Sequence, residues 1–194
     1  MKSIALAALL GAASLIVATA ATAQSTLPST TGSSTSASVG AMPVHGLDAP
    51  AFSAAASDAN QYQIAASRLS LARSQRADVK DYARRMISAG ETAQQTLMAS
   101  LSNDQRKIAK PARTLSAERA SMLEMLRKTP RSGFDNLYLT QSANVQQANW
   151  AAYKGYAEDG TDQSLKQVAG NGVPLIEAQL QQGGALLPAS LLSY

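Results

Sequence analysis

The stretch 137-LYLTQSANVQQANWAAYKGYAEDG-160 decides the fold. Its apolar residues do not alternate as a half-buried strand requires. Leu139, Ala143, Gln146, Trp150, Tyr153 and Ala157 recur at steps of four and three, so they share one face of an α-helix predicted over about Phe134 to Glu158. At the centre of that stripe, where a bundle enzyme holds a metal ligand, stands Gln146.

The flanking sequence repeats the pattern. A helix predicted over about Ala51 to Gln75 carries Phe52, Ala56, Ala59, Gln63, Ala66 and Ser70 on one face, with Tyr62, Leu69 and Ala72 beside it. Another, over about Ala77 to Leu101, carries Val79, Ala83, Met86, Gly90, Ala93 and Leu97. Asp159 to Asp162 form a turn into a last helix, about Gln163 to Leu187, with the stripe Leu165, Val168, Gly172, Leu175, Gln179, Gln182 and Leu186. Pro174 lacks a backbone donor and is expected to kink this helix or divide it after Gly172. Between the second and third long segments runs a polar connection broken by Pro111. It leads into a short helix, 116-SAERASMLEMLRKT-129, ended by Pro130 and Gly133.

Four long amphipathic helices and one longer crossover imply an all-α fold, a ferritin-like up-down four-helix bundle with a short extra helix in the crossover. No repeat of solenoid length supports the alternative. Residues 48–194 hold this domain. Before it, residues 1–23 read as a signal peptide: Lys2, an apolar run from Ile4 to Val17, and the small-residue exit 18-ATAATA-23. Cleavage after Ala23 makes the protein periplasmic or secreted; an uncleaved signal would be its only membrane segment. Residues 24–47, rich in Ser, Thr, Gly and Ala, read as a flexible linker. The sole histidine, His45, lies there without a second ligand and is given no role. The absence of cysteine excludes disulfides, thiol catalysis and thiolate metal sites.

Each long stripe has a polar or missing side chain at its middle: Gln63, Gly90, Gln146 and Gln179. Di-metal bundle sites need carboxylates and imidazoles, whereas these positions offer three neutral amides and a glycine. They are expected to form a polar core layer, or to line a pocket for a small ligand, with no cofactor and no metal. Nucleophilic triads need an imidazole or a lysine beside the hydroxyl; no histidine lies outside the linker, and Ser-x-x-Lys is absent. Glu118 with Glu124, and Asp135 with Glu158, are conceivable carboxylate pairs more simply read as solvated faces. Glycines near 182-QGGALL-187 lack the lysine and hydroxyl of a phosphate loop.

Charge is uneven. Residues 48–134 carry 14 basic and 8 acidic side chains, residues 135–194 only 2 and 5. The basic excess gathers in Arg106, Lys107, Lys110 and Arg113, and in Arg127, Lys128 and Arg131. These seven are a candidate surface for an anionic envelope component. Nucleic acid is not expected, since no aromatic side chains interleave with them.

The run 62-YQIAASRLSLARSQRADVKDYARRMISAGETAQQTL-97, with 134-FDNLY-138 and 173-VPLIEAQLQQGGAL-186, resembles the bacterial domain of unknown function 4142, over about Phe52 to Leu187. The resemblance implies a secreted ferritin-like bundle. It also implies histidines and an acid at places that here hold Tyr62-Gln63-Ile64, Ala89-Gly90, Gln146 and Gln179-Leu180, while Phe134, Asp135, Tyr138 and Pro174 match. The expected function is a non-enzymatic envelope protein that binds an envelope partner or a ligand. The alternative is a degenerate metal-dependent oxidoreductase.

Overall fold

The computed structural model describes residues 36–102 and 104–188. Among them every regular element is helical: α1 (Ser36–Val39), α2 (Ala49–Arg73), α3 (Ala77–Ser100), a 3-10 turn (Asp104–Arg106), α4 (Ala117–Lys128), α5 (Arg131–Asp159) and α6 (Gln163–Gly184). The expected signal peptide lies outside the described residues. No described helix is long and apolar enough to cross a membrane.

The helices form a bundle. α2 packs along α3 and along α5, α5 along α6, and α6 closes on α3, while α4 lies over α2 and α5. The predicted stripe of α2 is buried throughout, and so is that of α3 except for half-buried Ala93. The core has two parts. At one end Tyr62, Tyr82, Met86, Leu126, Phe134 and Tyr138 pack together. At the other, Phe52 stacks on Tyr156 with ring centroids 4.3 Å apart and meets Tyr153 edge-on at 5.1 Å, beside Trp150, Leu97 and Ile176. Burying such side chains contributes about 1.5–3 kcal/mol each.

Local chemistry sets the boundaries. Asp48 accepts from Ala51 N–H at 2.7 Å and caps α2, with Pro50 in its first turn. Asp162 accepts from Leu165 N–H at 2.9 Å and caps α6. Its carboxyl lies below the usual range: burial pushes it up, but the Leu165 N–H and the Arg106 guanidinium pull it further down. The crossover is fastened by α2 at both ends. Asp58 accepts from the N–H and hydroxyl of Ser116, the cap of α4, each at 2.8 Å. Arg73 donates to the carbonyls of Leu126 and Thr129 at the other end of α4, and lies 4.8 Å from the centroid of the Phe134 ring.

Five expectations need correction. The flexible linker does not extend to residue 47: residues 36–47 lie along α5, with Val39 buried. Val44 N–H donates to the Ala151 carbonyl (2.9 Å), Gln147 Nε2 to the Val39 carbonyl (2.9 Å), and Gly46 N–H to Asp159 Oδ2 (2.8 Å). His45 lies 3.2 Å from Asp159 and 3.7 Å from Glu158, so it has surface partners after all. Pro174 does not divide α6 after Gly172; the helix runs continuously to Gly184. The carbonyl that loses its partner belongs to Gly170, an exposed residue where water can replace the missing donor. Gly133 does not precede the helix start; α5 begins at Arg131 directly after Pro130. Finally, α6 is rotated from its predicted stripe. Leu165, Ala169, Ile176 and Gly183 are buried, whereas Leu175 is 63% exposed.

Candidate functional site

The rotation of α6 opens the site. Of its predicted stripe Leu165 enters the core and Leu186 packs against it, whereas Val168, Gly172, Leu175, Gln179 and Gln182 face a cleft of about 730 Å³ along the α3–α6 seam. The seam stays open because the residues facing it are small: Ala89, Gly90 and Ala93 on α3, Gly172 and Ala178 on α6. Two of these glycines are also required by packing. A Cβ on Gly172 would lie 2.3 Å from Tyr153 Cε1, and one on Gly90 2.9 Å from Ile64 Cγ1. Gly90 is therefore a point of close approach between α3 and α2.

All four positions Gln63, Gly90, Gln146 and Gln179 line this one cleft. Their amides are mostly engaged. Gln146 donates to Gln179 Oε1 across the α5–α6 interface. Gln63 donates to the Ser142 carbonyl at 3.4 Å and accepts from the Ser142 hydroxyl at 3.3 Å. Asn60 Nδ2 lies 3.5 Å from Gln94 Oε1. Burial pushes the Tyr153 hydroxyl up to about 12, partly offset by its hydrogen bond with Asn60. The fixed amides form the inner wall.

Asn149 is different and was not singled out from the sequence. It lies on α5 between Gln146 and Tyr153, is 6% exposed, and lines the cleft. Its Oδ1 is buried without a hydrogen-bond partner. Its spacing of three from Gln146 and four from Tyr153 places it on the same face, and that signal could have found it.

The cleft wall is rich in polar groups and almost uncharged. Among its described lining residues eight are carboxamides, further polarity comes from Thr92, Thr96, Ser100, Ser164 and Tyr153, and Arg85 is the one charged side chain. Arg85 is exposed at the rim, where its Nε donates to Gln182 Oε1 at 3.1 Å. Met86, Val168 and Ile176 supply apolar wall. Among the described residues no three His, Asp, Glu or Cys side chains are grouped as a metal ion would need. The one acid buried near the wall, Glu177, accepts from Trp150 Nε1 at 2.9 Å.

The other candidates are not brought together. Arg131 opens α5, whereas Arg106 pairs with Asp162 just beyond its end, so the two basic groups are about 40 Å apart along the helix. Arg127 and Lys128 pair with Glu124, while Lys107, Lys110 and Arg113 are exposed on the crossover. The seven cations do not form one surface. Asp135 and Glu158 lie near opposite ends of α5, about 35 Å apart. Glu118 and Glu124 are exposed on α4 and each lies beside a cation. Neither is a catalytic pair.

A family model described as Domain of unknown function (DUF4142) matches residues 31–186. Neither a curated protein nor a solved structure matches the chain.

Proposed function

The chain belongs to the family described as Domain of unknown function (DUF4142), and from that membership and the cleft we propose an exported, non-enzymatic ligand-binding protein of the bacterial envelope. The scaffold is a ferritin-like up-down bundle whose α3–α6 seam serves as the binding site. Residues 1–23 direct export, and the mature chain begins at Gln24.

One observation carries this reading: the positions where the family resemblance expects histidines and an acid meet in one cleft and present amides and a glycine. General acid–base chemistry needs a group that titrates near neutral pH, and redox metals need carboxylate or imidazole donors. Amides supply neither, yet they donate and accept hydrogen bonds at fixed positions. The size of the cleft and its apolar walls with a few polar groups are those of small-molecule sites.

The test compares mature wild-type protein with Ala93→Phe, which places a ring in the cleft from half-buried Ala93. Both are passed through a small-molecule extract of the bacterial envelope, and the retained compounds are identified by mass spectrometry. Wild type should retain a compound that Ala93→Phe does not. Identical profiles from two folded proteins would refute a binding role for the cleft.

A further inference from the structure

Resting on that reading, we propose that the ligand is a neutral amphiphile, with an apolar body along Met86, Val168 and Ile176 and an uncharged hydroxyl or amide head received by Asn149.

The argument begins on the inner wall. Gln146, Asn149 and Tyr153 stand in a row on α5, and the outer two are closed by bonds across the bundle, to Gln179 and to Asn60. The middle one is not closed. Its oxygen is fully buried and unpartnered, which costs about 1–3 kcal/mol unless another group meets it. A structural polar layer would have satisfied Asn149 as it satisfied its neighbours.

The head must be uncharged. A cation at Asn149 would find no carboxylate among the described lining residues. An anion would find only Arg85, which is exposed at the rim and already bonded to Gln182. A buried ion without a counter-charge is strongly disfavoured. A carboxamide rotates to offer either its oxygen or its NH2, so it suits a hydroxyl or amide, which both donates and accepts. The rest of the ligand is specified by the walls. Met86, Val168 and Ile176 flank the cleft, and Leu175, 63% exposed, extends the apolar surface to its lip. A purely polar sugar would leave those walls uncovered, and a pure hydrocarbon would leave Asn149 unmet.

The single tryptophan, Trp150, adjoins Asn149 and bonds to α6 through Glu177, so its fluorescence reports on occupancy. Mature protein is titrated with three monomeric probes of similar length: n-hexyl β-D-glucoside, heptanoate and hexylammonium. The glucoside should give a saturable change that Ala93→Phe abolishes, while the two ions give none. Asn149→Leu should weaken the glucoside by about tenfold or more, equivalent to ~1.4 kcal/mol, without lowering the melting temperature. Unchanged affinity in Asn149→Leu would overturn the assignment of the head group. Saturation by an ion in place of the glucoside would overturn the ligand class and leave the cleft as a binding site. Failure of all three probes would overturn both this class and the binding reading.

Discussion

Gly155→Ala separates the arm of residues 36–47 from the bundle beneath it. A Cβ on Gly155 would lie 1.9 Å from the Val44 carbonyl oxygen, 2.5 Å from its carbon and 3.0 Å from its nitrogen. All three are backbone atoms, so no side-chain rotation relieves the clash and the arm must lift. Lifting forfeits the Val44 and Gln147 hydrogen bonds, about 0.5–1.5 kcal/mol each, and the burial of Val39, about 2 kcal/mol. It also releases a dozen residues from order, which returns conformational entropy of comparable or larger size. Within α5, alanine gains about 1 kcal/mol over glycine. The variant should therefore melt within about 1 kcal/mol of wild type, while the Val44 amide loses its hydrogen-exchange protection and the arm becomes open to proteolysis. A loss of more than about 3 kcal/mol would show that the arm belongs to the cooperative core, and continued protection of Val44 would refute the close approach itself.

Further outcomes follow from the same geometry. Gly172→Ala forces a methyl group against the buried Tyr153 ring and should cost about 1–3 kcal/mol in a denaturant melt despite its better helix propensity. Gln146→Leu should cost no more than about 1 kcal/mol, because the half-buried Gln179 left behind can turn to water in the cleft; a loss of several kcal/mol would reveal a cooperative polar network. Burial raises the hydroxyls of Tyr138 and Tyr153 to about 12, against about 10 in the unfolded chain. The unfolded state thus loses protons first. Stability present below pH 10 is lost between about pH 10 and 12, by ~3 kcal/mol per tyrosine, and helical circular dichroism should disappear together with the rise of tyrosinate absorbance. Ionisation of Tyr138 or Tyr153 near pH 10, followed residue by residue by NMR, without loss of helix would contradict the burial of these rings.

Where the sequence was legible, a single period and a single face agreed. The stripes of α2 and α3 read correctly because their central residues recur at one period on a buried face, as Val79, Met86 and Leu97 do. α6 misled because both of its possible faces carry apolar residues. Leu165 is common to both readings, and the close approaches of Gly172 to Tyr153 and Gly183 to Tyr82, with the Trp150–Glu177 bond, set the rotation. The arm was illegible for a different reason: backbone hydrogen bonds and the gap at Gly155 hold most of it, and neither leaves a side-chain pattern. The four mid-stripe positions were readable as a layer, since residues at the same height on neighbouring helices meet. Their opening into a cleft depends on the seam between α3 and α6, which periodicity does not describe. The basic residues failed as a surface because proximity in sequence across a crossover says nothing about the length of α5 that separates them.

The most direct measurement is native mass spectrometry of the protein purified from its native cells, alongside Ala93→Phe prepared identically. Wild type should carry an uncharged organic adduct that gentle activation releases, and the blocked variant should be bare. A wild-type protein that carries a stoichiometric iron, manganese or zinc ion, or one as bare as the variant, would contradict the assignment of the cleft to a neutral ligand.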